Sequence, residues 1–195
     1  MRSRLLPVIL FTAALPMAEA AATPPSVLFD LVLDLDGDGT LDRAALIENQ
    51  DSEIAELDIY LGGGAVALDP ALQPSFRKEN VIEGTAMKFE HKGKASLVIT
   101  SCYGCGANKS WEETLTIVHR KGVFMVAGFT RSWDWNSHLA NGTVETRMGG
   151  CDINFLTGRG EVTVGLDDIR PVKRKFKPVK LVDWSAENRP SECEL

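Results

Sequence analysis

The sequence predicts a mostly β protein: a single antiparallel β-sandwich or partly closed barrel of about eight strands, with little helix. Three observations predict it. Apolar and polar residues alternate with period two from Ala86 to Val164. Glycine and asparagine break that alternation at short intervals, as the turns of an antiparallel meander do. No stretch carries a long, capped helical period. The 195 residues allow one domain, and 44% hydrophobic with 25% charged residues exclude a collagen, a disordered tail or a supercharged nucleic-acid binder.

Residues 1–20 read as a secretory signal peptide. Arg2 and Arg4 lead, an apolar stretch runs from Leu5 to Leu15, and Ala18-Glu19-Ala20 supplies a small-residue cleavage triplet. That stretch falls short of the roughly 20 residues a membrane-crossing helix needs, so no membrane span is expected. Cleavage after Ala20 removes Arg2, Arg4 and Glu19, taking 21 basic and 27 acidic side chains to 19 and 26, and the net charge from −6 to −7. A secreted or periplasmic protein meets an oxidising compartment. The domain expected after a short lead at 21–26 covers 27–195.

In the region 27–64, Val27 to Leu33 predicts a strand, followed by Asp34-Leu-Asp-Gly-Asp-Gly-Thr-Leu-Asp42. Arg43 to Glu48 reads as a short link to a second strand within Ile54 to Leu61, ended by Gly62 to Gly64. Pro70 and Pro74 make Leu68 to Asn80 a loop or a short irregular helix. The meander at 86–164 is expected to place strands near Ala86 to His91, Ala95 to Ser101, Glu112 to Arg120, Val123 to Arg131, Asp152 to Leu156 and Gly160 to Val164. Lys121-Gly122 is its sharpest hairpin signal. Residues 165–195 read as an extended basic tail.

The loop carries the most specific chemical signal. Asp34, Asp36 and Asp38 occupy positions one, three and five, Thr40 position seven and Asp42 position nine. Calcium takes six to eight oxygens, so alternate side chains of a tight loop turn inward and the backbone carbonyl of Thr40 fills in. At about 6% per acidic residue type, four aspartates at fixed positions arise in on the order of 1 in 100,000 windows, so chance is a poor explanation. Position twelve is Ala45 rather than a bidentate glutamate, so the loop is not a full EF-hand, and affinity of about 10⁻⁴ to 10⁻³ M is expected.

Strand, DLDGDGTLD, link and the strand Leu57 to Leu61 together resemble one FG-GAP or VCBS-type repeat of secreted and cell-surface proteins. The resemblance covers Phe29 to Leu61 and implies a calcium ion between two strands, held by Asp34, Asp36, Asp38, Thr40 and Asp42. Several such repeats close a propeller, and this chain has one. The remainder, with Ser101-Cys-Tyr-Gly-Cys-Gly106 and Ser110-Trp-Glu-Glu, is similar to small exported bacterial proteins of unassigned role.

Four cysteines, Cys102, Cys105, Cys151 and Cys193, allow a redox motif at Cys102-x-x-Cys105, a four-thiolate zinc site or two disulfides. The glycines and the strand after Cys105 oppose the helix that a redox site needs, and export favours disulfides. Three connectivities remain open; Cys102 with Cys105 and Cys151 with Cys193 is favoured. His91, His119 and His138 are too scattered to define a metal site. There is no nucleophile elbow, H-E-x-x-H, P-loop or dinucleotide fingerprint, so a non-enzyme is expected. Glu112 and Glu113 beside Trp111 suggest a glycosidase, yet neighbours on a strand face opposite sides and cannot flank one bond.

Two further features point to recognition. Trp133 and Trp135 fall on one face if extended, forming either a packed core edge or a platform for a sugar or peptide. Charge is also divided: Asp30 to Asp58 holds ten acidic residues against Arg43, while Arg170, Lys173, Arg174, Lys175, Lys177 and Lys180 follow with no acid among them. The main expectation is a non-enzymatic domain with one structural calcium ion. The alternative is a recognition or inhibitor module using those cations and the tryptophan pair on an anionic envelope polymer or a partner protein. Compartment and net charge oppose nucleic acid as a partner.

Overall fold

Alternation does build antiparallel sheets, and there are two of them. The computed structural model describes residues 26–48, 54–65, 67–68 and 72–194. The signal peptide, all of the lead but Ser26, and Pro70 lie outside the described residues. The first sheet takes β1 (Val27–Leu33), β2 (Asp42–Glu48), β3 (Ala55–Tyr60) and β4 (Phe76–Ile82) in chain order. The second is the meander β5 (Thr85–Lys92), β6 (Ser96–Tyr103), β7 (Lys109–Arg120), β8 (Val123–His138), β9 (Val144–Asn154), β10 (Arg159–Val164) and β11 (Asp168–Pro171). The short β12 (Val179–Lys180) pairs with Val126 and Met125 of β8, next to where the pairing of β9 ends at Gly128. The two sheets share no ladder, so the architecture is an open sandwich and not a closed barrel.

Twelve strands are described where the pattern predicts about eight. The segment read as a link is β2, hidden because Ala44, Ala45, Leu46 and Ile47 are all buried and show no alternation. The loop or irregular helix expected at 68–80 contains the start of β4, an edge strand whose Arg77, Glu79 and Asn80 stay exposed. β8 continues through Trp133 to His138, and β9 begins at Val144, lengthening two expected strands into a projecting hairpin. The Lys121-Gly122 turn forms as expected, with φ of +53° and +76°.

Ala44, Leu46, Leu57 and Ile59 of the first sheet face Leu97, Ile99, Leu115, Ile117 and Val126 of the second in one buried cluster. Phe76 and Phe124 join the sheets with ring centroids 5.1 Å apart. The tail is more than a solvated basic strip. Phe176, Leu181, Trp184 and Cys193 are buried in the same cluster, and Trp184 packs on Phe129 and Phe155 at 5.3 and 6.1 Å. Three single-turn 3-10 helices (Leu181–Asp183, Ala186–Asn188 and Ser191–Cys193) fold it back over the sheet, so its second half is not extended.

Candidate metal centre

The acidic loop joins β1 to β2 and folds by hydrogen-bonding its own backbone. The Asp34 carboxylate accepts from the Gly37 N–H at 2.7 Å and the Gly39 N–H at 3.1 Å. Asp36 accepts from Asp38 N–H at 3.0 Å, and Asp38 from Thr40 N–H at 2.6 Å. Gly37 and Gly39 take φ of +82° and +89°, conformations that side chains rarely adopt. Asp42 differs from the others: it is 1% exposed, and its two oxygens accept the Leu35 and Gly62 N–H groups, each at 2.7 Å. One carboxylate thus ties both ends of the loop to the turn after β3.

One carboxylate oxygen from each of Asp34, Asp36 and Asp42 lies within 4.8 Å of the other two. Oxygens at 2.3–2.6 Å around a single calcium ion are no more than about 5 Å apart, so the three fit one coordination shell. An all-carboxylate donor set favours a hard cation over zinc or copper. Asp38 stays outside this group with an exposed side chain, and Thr40 is exposed as well. Three of the five sequence-predicted ligands therefore converge as side chains.

Two charge clusters escaped the sequence reading. Asp58 is completely buried on β3 and receives both Nε and an η-nitrogen of Arg77 on β4 at 2.6 Å, with the Tyr60 hydroxyl at 3.2 Å. Burial, and then the Asp58 charge, pushes the Tyr60 hydroxyl pKa up; the hydrogen bond from Arg77 to Asp58 raises that of the guanidinium. Asp58 is buried although its neighbours Leu57 and Ile59 face the core, because both faces of β3 are covered.

The second cluster lies on the inner face of the larger sheet, where Ser101, Glu113 and Arg131 are cross-strand neighbours. Arg189 from the tail donates to Glu113 at 2.8 Å and to Glu83 at 3.1 Å, while Arg131 Nε sits 3.3 Å from Glu113. Glu113 is buried and its neighbour Glu112 exposed, so the two carboxylates indeed face opposite ways. His119 packs against Phe124 with ring centroids 4.8 Å apart and planes tilted by 50°, and His91 and His138 stand apart and exposed.

The cysteines form two disulfides, Cys102–Cys105 and Cys151–Cys193, with Cα separations of 5.7 and 5.1 Å, and no free thiol remains. That leaves no thiolate for a zinc site, and Cys102 lies at the end of a strand, not at a helix start. Two disulfides are consistent with an oxidising compartment.

The cations and the tryptophan pair are not brought together. Arg170 pairs with Asp168, and Arg174 with Glu192. Lys173, Arg174 and Lys175 line a groove of about 720 Å³ beside Gly158 and Gly160, at the start of β10; Lys177 and Lys180 are exposed further along. Trp133 and Trp135, 6.3 Å apart, sit across from Gly149 and Arg147, and Gly149 pairs with Val164 at the other end of β10. About 13 Å of strand separates the two features. In comparisons with known proteins, the chain matches no family model, no curated protein and no solved structure.

Proposed function

We propose that this chain is an exported, non-enzymatic β-domain whose N-terminal hairpin binds one calcium ion as a structural clamp. The convergence of Asp34, Asp36 and Asp42 within 4.8 Å carries the proposal. Asp34 and Asp36 belong to a loop that otherwise folds on its own backbone, whereas Asp42 anchors that loop to the body. An ion shared by all three holds the loop to the domain and relieves the repulsion of crowded carboxylates. The FG-GAP or VCBS-type resemblance supports calcium and adds Asp38 and the Thr40 carbonyl to complete the shell. The signal-peptide pattern and the two disulfides support export.

The test is thermal unfolding in millimolar calcium against chelator. At the expected affinity of about 10⁻⁴ to 10⁻³ M, about 10 mM calcium is about 10 to 100 times the dissociation constant and stabilises the folded state by about 1.4 to 2.7 kcal/mol, a shift of several degrees for a domain of this size. The double variant Asp34→Asn/Asp36→Asn, which spares the buried Asp42, should fold and lose the shift. A wild-type melting temperature unmoved by calcium would reduce the loop to an acidic turn.

A further inference from the structure

The inner face of the larger sheet does not stop at the core. Beyond Leu115 and Phe129, and beyond the Glu113–Arg131 row, cross-strand register brings Tyr103, Trp111 and Trp133 side by side on β6, β7 and β8. No bulge interrupts these ladders between the core and the aromatic row, so all three rings share the core-side face. Trp135 is next along the same face of β8. Tyr103 and Trp111 stack with centroids 5.8 Å apart and planes 17° from parallel. Opposite Trp133 stands Gly149, where a Cβ would come within 2.7 Å of the indole. The missing side chain lets the indole lie against the β9 backbone.

The charges on this face are also sorted. Lys109 Nζ is 4.2 Å from the Trp135 ring centroid, and Arg147 is the cross-strand neighbour of Trp135. Among the described residues of β6 to β9 on this side, the carboxylates are Glu113, buried beneath Arg131 and Arg189, and Glu145, paired with Arg147 at 2.9 Å. On this aromatic surface the carboxylates of β6 to β9 are thus all paired, while from the tail the exposed Glu194 lies close enough to Arg131 to act on its charge. The centre of a protein interface is depleted in lysine, whereas here Lys109 stands over a ring.

We propose that this face binds a linear, carboxylate-bearing glycan. The apolar C–H face of a pyranose ring matches the electron-rich face of an indole or phenol, and rings on neighbouring strands, 5.8 Å apart for Tyr103 and Trp111, offer consecutive stacking steps. Lys109 pairs with the sugar carboxylates, while Arg147 stays engaged with Glu145 beside the site. The site is separate from the calcium loop, which belongs to the other sheet.

The probe is an oligogalacturonate, with cellohexaose as the neutral comparator and oligothymidylate as the nucleic-acid comparator, titrated into the full chain in calcium-free buffer and followed by calorimetry. Oligogalacturonate should bind more tightly than either. Tyr103→Ala, at a residue 56% exposed and therefore tolerant of truncation, and Trp133→Ala should each weaken binding about tenfold. Lys109→Ala should erase the preference over cellohexaose, and the Asp34→Asn/Asp36→Asn variant should bind as wild type does. No binding at millimolar oligogalacturonate, full affinity in both ring variants, or a preference for oligothymidylate would overturn the proposal. So would a concentration-dependent dimer abolished by Tyr103→Ala, because the face would then belong to a second copy.

Discussion

Glu112 and Glu113 are identical side chains on successive residues, and the sheet gives them opposite fates. Glu112 faces solvent, whereas Glu113 is 5% exposed, with Arg189 and Arg131 as partners. Its Oε1, the Nε atoms of Arg131 and Arg189 and the Ser101 hydroxyl are buried without a hydrogen bond. Burial pushes the Glu113 carboxyl above its usual 4.5, against the opposing pull of Arg189 and Arg131. A folded-state pKa raised above the unfolded one means that the folded state holds its proton more tightly. The stability this contributes is full below about pH 4.5 and is lost as pH rises through the folded value. Urea unfolding of the wild type and Glu113→Gln across this range should show the wild type losing stability relative to the variant as pH increases. A difference that grows in the opposite direction would mean that the two guanidiniums outweigh desolvation.

At the scale of elements, the meander was legible because most of its strands bury one face, and one buried face writes period two. The two-sided burial of β2 erased that signal and turned a strand into a link, whereas β3 kept enough alternation to be read as a strand while the burial of its Asp58 stayed hidden. β4 was illegible for the opposite reason, since an edge strand rich in Arg77, Lys78, Glu79 and Asn80 resembles a loop. The convergence of Asp34, Asp36 and Asp42 was legible in their spacing because so short a loop folds back on its own backbone. That Asp38 stands outside this group was not legible, because inward or outward pointing depends on turns that sequence spacing alone does not determine. The tie between β3 and β4 depends on the same hidden Asp58. Arg77→Leu would leave that carboxylate buried without its cation, at a cost of about 3 kcal/mol, the lower end for a broken buried pair because the Arg77 side chain is 47% exposed. Adding Asp58→Asn should recover much of this loss in urea denaturation, since the amide carries no charge to strand. Equal stability of the single and double variants would show that water already solvates Asp58.

The whole molecule is an asymmetric sandwich, four strands against a larger sheet, and the C-terminal tail covers what the small sheet leaves open. Trp184 supplies the apolar contact, and Cys151–Cys193 fastens the tail across a sequence separation of 42 residues. The chain-entropy model gives that bridge about 4 kcal/mol, and truncating a buried tryptophan costs about 3–5 kcal/mol. The two losses share one segment, so they should not add. Once Cys151→Ala/Cys193→Ala releases the end of the tail, Trp184 is already held more loosely, and Trp184→Ala should cost less there than in the bridged protein. The acidic loop is anchored at the opposite sheet, where Asp42 accepts the Leu35 and Gly62 N–H groups. The calcium-induced shift in melting temperature should therefore survive in each tail variant that still folds, at nearly its wild-type size. Loss of the shift together with the tail would mean that the hairpin is ordered through the core as one cooperative unit, and that Asp42 is positioned by packing from the far side of the sandwich.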